Sequence, residues 1–327
     1  MTLRKQQAGF QSSGGFSLNV FTPDEFDAIH RATLEVMGEV GLFVQKEEAR
    51  QIFKAAGAKV YEDGLVKIPP HLVEEAIRSA PSSLTLAGRD KSRDVVIDGG
   101  RVNFTNFGEG ICIIDSDTGE LRSTTKKDLE TMTRVIDSLD IISVIERAVG
   151  SQDKPAPMQA IHNYEAMVNS TTKHCFLGPE NGHNVELILK MAAEAVGGPE
   201  ALADRCPVSF ITCPVSPLRL VEDCCEIIMT AARNNATVCI LSMAMAGGSS
   251  PVNLAGTLVN HNAEILGGIT LAQLTKRGAK VIYGSSSTAM FLKNASAVVG
   301  TPELAMINSA VAAMARYYLL PSWVAGG

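Results

Sequence analysis

From Val102 to the last residue the sequence repeats one pattern: a short apolar run, a helical stretch, and another apolar run. The apolar runs are "VNFTNF" (102–107), "IISVIERAV" (141–149), "TKHCFLG" (172–178), "VSFITCPVS" (208–216), "ATVCILSMAM" (236–245), "AKVIYGSS" (279–286) and "PSWVA" (321–325). Helical periodicity fills 125–138, 157–170, 182–195, 217–233, 251–276 and 301–318. Such alternation predicts parallel strands joined by crossover helices, here six strand–helix units and a seventh strand. The segment "GICIIDSDTGELRSTT" alternates at period two around Asp117-Thr118-Gly119 and reads as a hairpin set before the next helix.

Two α/β architectures fit this order, an open doubly wound sheet and a (β/α)8 TIM-type barrel. A nucleotide-binding open sheet carries a Gly-rich turn between its first strand and the helix that follows. "FGEGIC" leads into a hairpin instead, so the barrel is the expected fold. At the usual length of a barrel unit, roughly 50 or more residues are wanting for an eighth, so we expect the barrel to be incomplete at Gly327. The alternative is a seven-stranded open sheet, complete as it stands.

Residues 1–98 read differently, as an arm and a mainly helical layer, and residues 99–327 as the partial barrel. The first helix has a full start signal: Thr22 as cap, Pro23 in the first turn, Glu25 closing a capping box and Phe21 as a hydrophobic staple. Further helices are expected at 47–56 and within "GLVKIPPHLVEEAIRSAP".

Composition narrows the function classes. A net charge of −6 without any Lys/Arg cluster argues against a nucleic-acid surface. No apolar run reaches about 18 residues, and the N-terminus has no apolar stretch of signal-peptide length, so a cytoplasmic protein is expected. The 7 cysteines form no C-x-x-C pair and read as free thiols. Cys175, Cys206, Cys213 and His174 lie near predicted strands, but no spacing matches a zinc ligand set, so no metal is expected.

Barrel chemistry gathers at the carboxyl ends of strands. Here those ends are "NFGEG", "LGPENGH", "CPVSP", "SMAMAGGSSP", "YGSSS" and "VAGG", rich in Gly, Ser and Pro. Ser249, Ser250, Ser285, Ser286 and Ser287 have no strand-end His–Asp partner and read as hydroxyl lining or helix caps. Glu109 reads as the one carboxylate close to a strand end, and His174 as a core histidine. His261 and Glu264 stand three apart on a long helix, a metal-helix spacing that lacks its second helix. A Schiff-base lyase would need a lysine at a strand end, whereas Lys173 and Lys280 sit at strand starts. Phe107, Tyr283 and Trp323 lie on or beside strands, where rings can hold a quaternary ammonium. Few acid–base groups and many small residues suit a large cofactor that performs the chemistry.

Seven blocks, in order, carry a family likeness: "FTPDEFDAIHRATLEVMGEVGL", "GRDKSRDVVIDGGRVNFTNFGEG", "CPVSPL", "LSMAMAGGSSPVNLAGTLVNHNAEILGGITLAQL", "GAKVIYGSSS", "GTPELAMINSAVA" and "LPSWVAGG". Together they resemble the trimethylamine:corrinoid methyltransferase superfamily. The resemblance implies a longer barrel enzyme that moves a methyl group from a methylated amine to the Co(I) of a corrinoid. That corrinoid is carried by a separate small protein. In the trimethylamine enzymes pyrrolysine follows the "PS-aromatic-VAG" segment; here that position is Gly327. A glycine there implies a quaternary amine such as glycine betaine, already a charged leaving group. The alternatives are a trimethylamine enzyme of the pyrrolysine type, and an inactive fragment that docks a corrinoid protein. The resemblance places a substrate pocket around Phe107, Glu109, Met243, Met245, Tyr283, Ser285, Trp323 and Gly327, with Gly247, Gly248 and Ser249 as a rim for the corrinoid. It further implies remaining pocket residues beyond Gly327, so the chain alone is expected to lack activity, and a homo-oligomer is expected.

Overall fold

A computed structural model describes residues 18–325. They form two compact units, one of residues up to 84 with 98–101 and from 212 onward, the other of 85–97 and 102–211. The division at residue 98 follows a change of element type, and as a division of domains it stands as a proposal.

The second unit holds four parallel strands: β1 (Phe104–Thr105), β2 (Ile142–Glu146), β3 (His174–Leu177) and β4 (Val208–Thr212). Each pairs with the next, His174 opposite Val144 and Cys175 opposite Val208. The helices between them span Lys126–Asp137, Gln159–Val168, Gly182–Val196 and Pro199–Asp204. The predicted hairpin is present as Cys112–Ile114 against Leu121–Ser123. The first strand is shorter than "VNFTNF" suggests. Past Thr105, Asn106 brackets Glu146 with its side chain, its Nδ2 donating to the Glu146 carbonyl (2.9 Å) and its Oδ1 accepting from the Glu146 amide (3.0 Å).

The first unit holds the other three parallel strands, β5 (Thr237–Ser242), β6 (Val281–Ser285) and β7 (Ser322–Val324), in the order β5-β6-β7. With the second unit's four they make the seven expected. Around them stand α1 (Pro23–Glu35), α2 (Glu47–Ala55), α3 (Pro70–Ser79), α4 (Glu222–Arg233), α5 (Leu254–Thr275) and α6 (Pro302–Tyr317). Helix α1 starts as its sequence dictates: Thr22 and Glu25 exchange both capping-box bonds, and the Phe21 and Phe26 rings meet edge to face at 5.9 Å. Helix α4 begins later than the predicted 217. Leu218 is held at φ 57°, where a helix cannot begin, and Arg219-Leu220 instead forms a strand parallel to Leu42–Val44. That strand belongs to a small sheet with Leu65–Lys67 and Lys59–Val60, so the N-terminal layer has a sheet as well as helices. The hairpin Thr288–Phe291/Ser296–Val298 after β6 was not foreseen.

Helix α5 is buried from Asn260 through Gln273 and touches α1, α2, α3, α4 and β5. An all-round apolar helix can lie only inside a protein. Its glycines permit the close fit: a Cβ on Gly267 would meet Leu42 Cδ2 at 2.5 Å, and one on Gly268 would meet Ile240 Cγ2 at 2.9 Å. On β6, a Cβ on Gly284 would lie 2.6 Å from Cys239 Sγ and 2.8 Å from the Ile240 carbonyl oxygen of β5. The carbonyl cannot move without breaking the ladder. Gly284→Ala should therefore lower stability by roughly 1–3 kcal/mol, read as a fall in the urea midpoint at unchanged slope.

Candidate active site

In the second unit the strand ends carry charge. Glu146 is the last residue of β2, Arg147 follows it, Glu109 stands past β1 and Glu180 past β3. Glu109 and Glu180 both occupy the left-handed region, at φ 70° and 73°, so each turns its chain sharply beyond its strand. Glu109 N–H donates to the Arg147 carbonyl at 2.9 Å, prolonging the β1–β2 pairing, and its carboxylate pairs with the Arg147 guanidinium. Burial holds Arg147 below its usual range and Glu180 above its own; each opposes the other's shift by its charge. Burial alone pushes Glu146 up to about 7. Its carboxyl lies where a side chain on Gly108 would be, 2.6 Å from that ideal Cβ. Glu109 and Glu180 act on the Arg147 guanidinium, while Glu146 can hold or release a proton near neutral pH.

Sequence reading took Glu109 as the one carboxylate near a strand end. Glu146 and Glu180 join it, because β2 stops short of the apolar pattern in "IISVIERAV" and Glu180 is turned back by its positive φ. An acid followed by an arginine within an otherwise apolar run was the available signal.

In the first unit the strand ends are aligned and uncharged: Ser242 lies opposite Ser285, Ser285 opposite Val324, and Gly284 opposite Trp323. Beneath them α5 supplies polar groups. Glu264 accepts from Ser242 Oγ (2.6 Å) and Ser216 Oγ (2.8 Å) on one oxygen, and from Leu218 N (2.9 Å) and Asn260 Nδ2 (2.8 Å) on the other. His261 Nδ1 meets Ser287 Oγ at 3.0 Å, and burial lowers the imidazole to about 3, so it is neutral. Although three apart on one helix, His261 and Glu264 serve different strand ends.

Tyr283 is fully buried on β6, its hydroxyl donating to Asn262 Oδ1 at 2.7 Å; Asn262 Nδ2 in turn donates to Thr33 and Tyr318. Ser285 is buried and accepts from the Ser287 amide at 3.1 Å. Trp323 is half-buried on β7, Met245 is half-buried, Met243 is 55% exposed and Phe107 85% exposed. Gly247, Gly248 and Ser249 form a tight turn: Gly247 N donates to Ser250 O (3.0 Å), Gly248 N to Met245 O (2.9 Å), and Ser249 Oγ accepts from Met245 N (3.0 Å). Gly247 has φ 81°, which only glycine adopts readily. Gly327 lies outside the described residues. His174 is a core residue, bonded to the Ala87 carbonyl and the Ser209 hydroxyl and lowered to about 4 by burial.

Glu146 makes the second unit's stability depend on pH. Between the usual carboxyl range and about 7, the unfolded chain ionises this group while the folded one retains its proton, so stability falls as pH rises across that window. Glu146→Gln should flatten this dependence by about 3 kcal/mol, measured as urea unfolding free energy at pH 4 and pH 8.

Comparison with known proteins agrees with this order of elements. The family model described as trimethylamine methyltransferase (MTTB) matches residues 4–327. The trimethylamine methyltransferase MttB of Desulfitobacterium hafniense is 49% identical over 322 residues, covering 98% of this chain and 65% of that protein. The Methanosarcina barkeri protein of the same name is 44% identical, covering 98% and 66%. A glycine betaine methyltransferase of Desulfitobacterium hafniense is 32% identical, covering 94% and 64%. The chain thus spans slightly less than two thirds of the length of these relatives. Among solved structures, the monomethylamine methyltransferase of Methanosarcina barkeri superposes with a TM-score of 0.56 over 92% of this chain and 65% of that one, at 13% identity. That likeness concerns the fold, and with the seven parallel strands it supports the α/β class of incomplete (β/α)-barrel type. No helix among the described residues is long and apolar enough to cross a membrane. By the match of its whole described length, the chain belongs to the trimethylamine methyltransferase (MTTB) family.

Proposed function

We propose that this protein transfers a methyl group from a methylated amine to the cobalt of a corrinoid held by a separate small protein, in the cytoplasm and as a homo-oligomer. The observation that carries the reading is the family match from residue 4 to 327. The acids Glu109, Glu146 and Glu180 at the second unit's strand ends are in keeping with it, since a methylated amine at neutral pH is a cation.

Of the two amines left open by the sequence, trimethylamine has the stronger support, from 49% identity to a trimethylamine methyltransferase against 32% to a glycine betaine methyltransferase. Glycine betaine is the second reading, favoured by Gly327 after "SWVAG".

The corrinoid, when its carrier docks, supplies the nucleophile. The residues proposed as its rim suit a flat macrocycle: Gly247 and Gly248 spend their amide donors within the turn, and an ideal Cβ on Gly247 would first meet Val252 and Leu292, both exposed and apolar. What this edge offers is therefore apolar contact. The chain's own task is orientation, with Ser285 and Trp323 at the ends of β6 and β7 among the candidate contacts, and with Met243 exposed beyond β5. In the second unit, considered by itself, the acids Glu109 and Glu146 would favour a nearby cation.

In an anaerobic assay with a reduced corrinoid protein, the Co(I) absorbance should decay on addition of trimethylamine and more slowly with glycine betaine. Decay with glycine betaine alone would reverse the order of the two amines. No decay with either would overturn the reading in favour of the third alternative, an inactive fragment that docks a corrinoid protein.

A further inference from the structure

Glu264 is fully buried, yet no Lys, Arg or His among the described residues pairs with it. The cation nearest in sequence to its partners, Arg219, stacks on the Phe43 ring at 4.8 Å. His261, one turn away on α5, is turned to Ser287 and neutral. All four groups on the carboxylate are uncharged donors. Burying a charge without an opposite charge is unfavourable even when hydrogen bonds are complete, because dipoles replace only part of the lost hydration. Four donors meet the Glu264 carboxyl, and no counter-charge among the described residues stands beside it.

Three of the four donors are anchored in the interior or in backbone: Ser242 and Asn260 are buried, and Leu218 gives its amide. Ser216 differs. It is half-buried between Val215 and Pro217, both exposed, in the loop that follows β4 at its carboxyl end. A hydroxyl that gives its proton to Glu264 has its oxygen lone pairs directed elsewhere, and for Ser216 elsewhere includes the surface. The hydroxyl thus links the buried carboxyl to the half-buried edge of the loop.

We propose that Glu264, acting through the Ser216 hydroxyl, is the counter-charge that positions the methylated ammonium of the substrate. Ser216 accepts an N–H, or the polarised methyl hydrogens, of the ammonium. Glu264 supplies the counter-charge that the uncharged strand ends of the first unit lack. This rests on the reading of the protein as a methylated-amine enzyme, and it makes Glu264 a positioning residue that does not touch the reacting atoms.

The test compares a cation with its neutral isostere. Choline and 3,3-dimethylbutan-1-ol differ in a single atom, nitrogen for carbon, and so in charge at constant shape. Their binding is measured by calorimetry, alongside KM and kcat for trimethylamine, in the wild type, Glu264→Gln and Ser216→Ala. Glutamine can keep the two N–H donors on its carbonyl while both serine hydroxyls rotate to accept from its amide, so the shape is preserved and the charge removed. The wild type should prefer choline, and Glu264→Gln should weaken choline on the order of tenfold with the isostere unchanged, raising KM more than it lowers kcat. Ser216→Ala should lose part of the same preference, and it decides the matter if Glu264→Gln does not fold. Equal binding of the two probes by the wild type, equal weakening of both in the variants, or an undiminished preference for choline would overturn the proposal. Because the binding assay needs no corrinoid, its failure is separate from failure of methyl transfer by the wild type.

Discussion

The close seating of helix α5 is the contact on which the first unit depends. A helix without a solvent face must find an internal partner for every polar side chain it carries, since none can turn to water. Asn262 faces the N-terminal layer and the Tyr283 and Tyr318 hydroxyls, His261 faces Ser287, Glu264 faces Ser216, Leu218 and Ser242, and Gln273 reaches the Ala279 carbonyl and Ser79. These directions fan out around one axis, so a small rotation of the helix would unpair several groups at once. Gly267 and Gly268 allow the distance at which all of them connect.

The polar groups so placed do more than fill hydrogen-bonding needs. Tyr283 exemplifies a purely internal arrangement: its hydroxyl ends in Asn262, which is in turn bonded to Tyr318, which meets His30 at 2.8 Å. Glu264 is arranged otherwise, with neutral donors only and one of them near the surface. In the second unit the same contrast appears between Arg147 with Glu109, where charge meets charge, and Glu146, whose charge is suppressed by burial. Strand ends that leave anions without full compensation are poor choices for stability. Under the proposed function they suit a substrate that itself brings the positive charge.

Local signals carried well through the chain. The cap, proline and staple of α1 act within a single turn, and Thr22, Glu25, Phe21 and Phe26 meet as read. The hairpin at 112–123 and the seven apolar runs were legible for the same reason, because periodicity records which face of an element is buried. Less was legible where a distant segment competes. Arg219-Leu220 forms a strand because Leu42–Val44 lies alongside, and Phe104–Thr105 ends early because the Asn106 side chain takes over its pairing. Of the candidate site, the positions of Ser285, Trp323 and Glu109 at or beyond strand ends could be read directly. For Glu146 the only visible signal was an acid–arginine pair within an apolar run, and such a pair has no mark of its depth.

By itself the sequence determined the order of elements, the parallel class of the sheet and the kinship with methylamine enzymes, because each of these is written in local periodicity and in ordered blocks of residues. The tertiary structure decided which groups are charged, which are spent on one another and which remain available. Those properties depend on burial and on partners far away in the chain: Glu264 meets Ser216 across a separation of 48 residues, and no local pattern records that meeting.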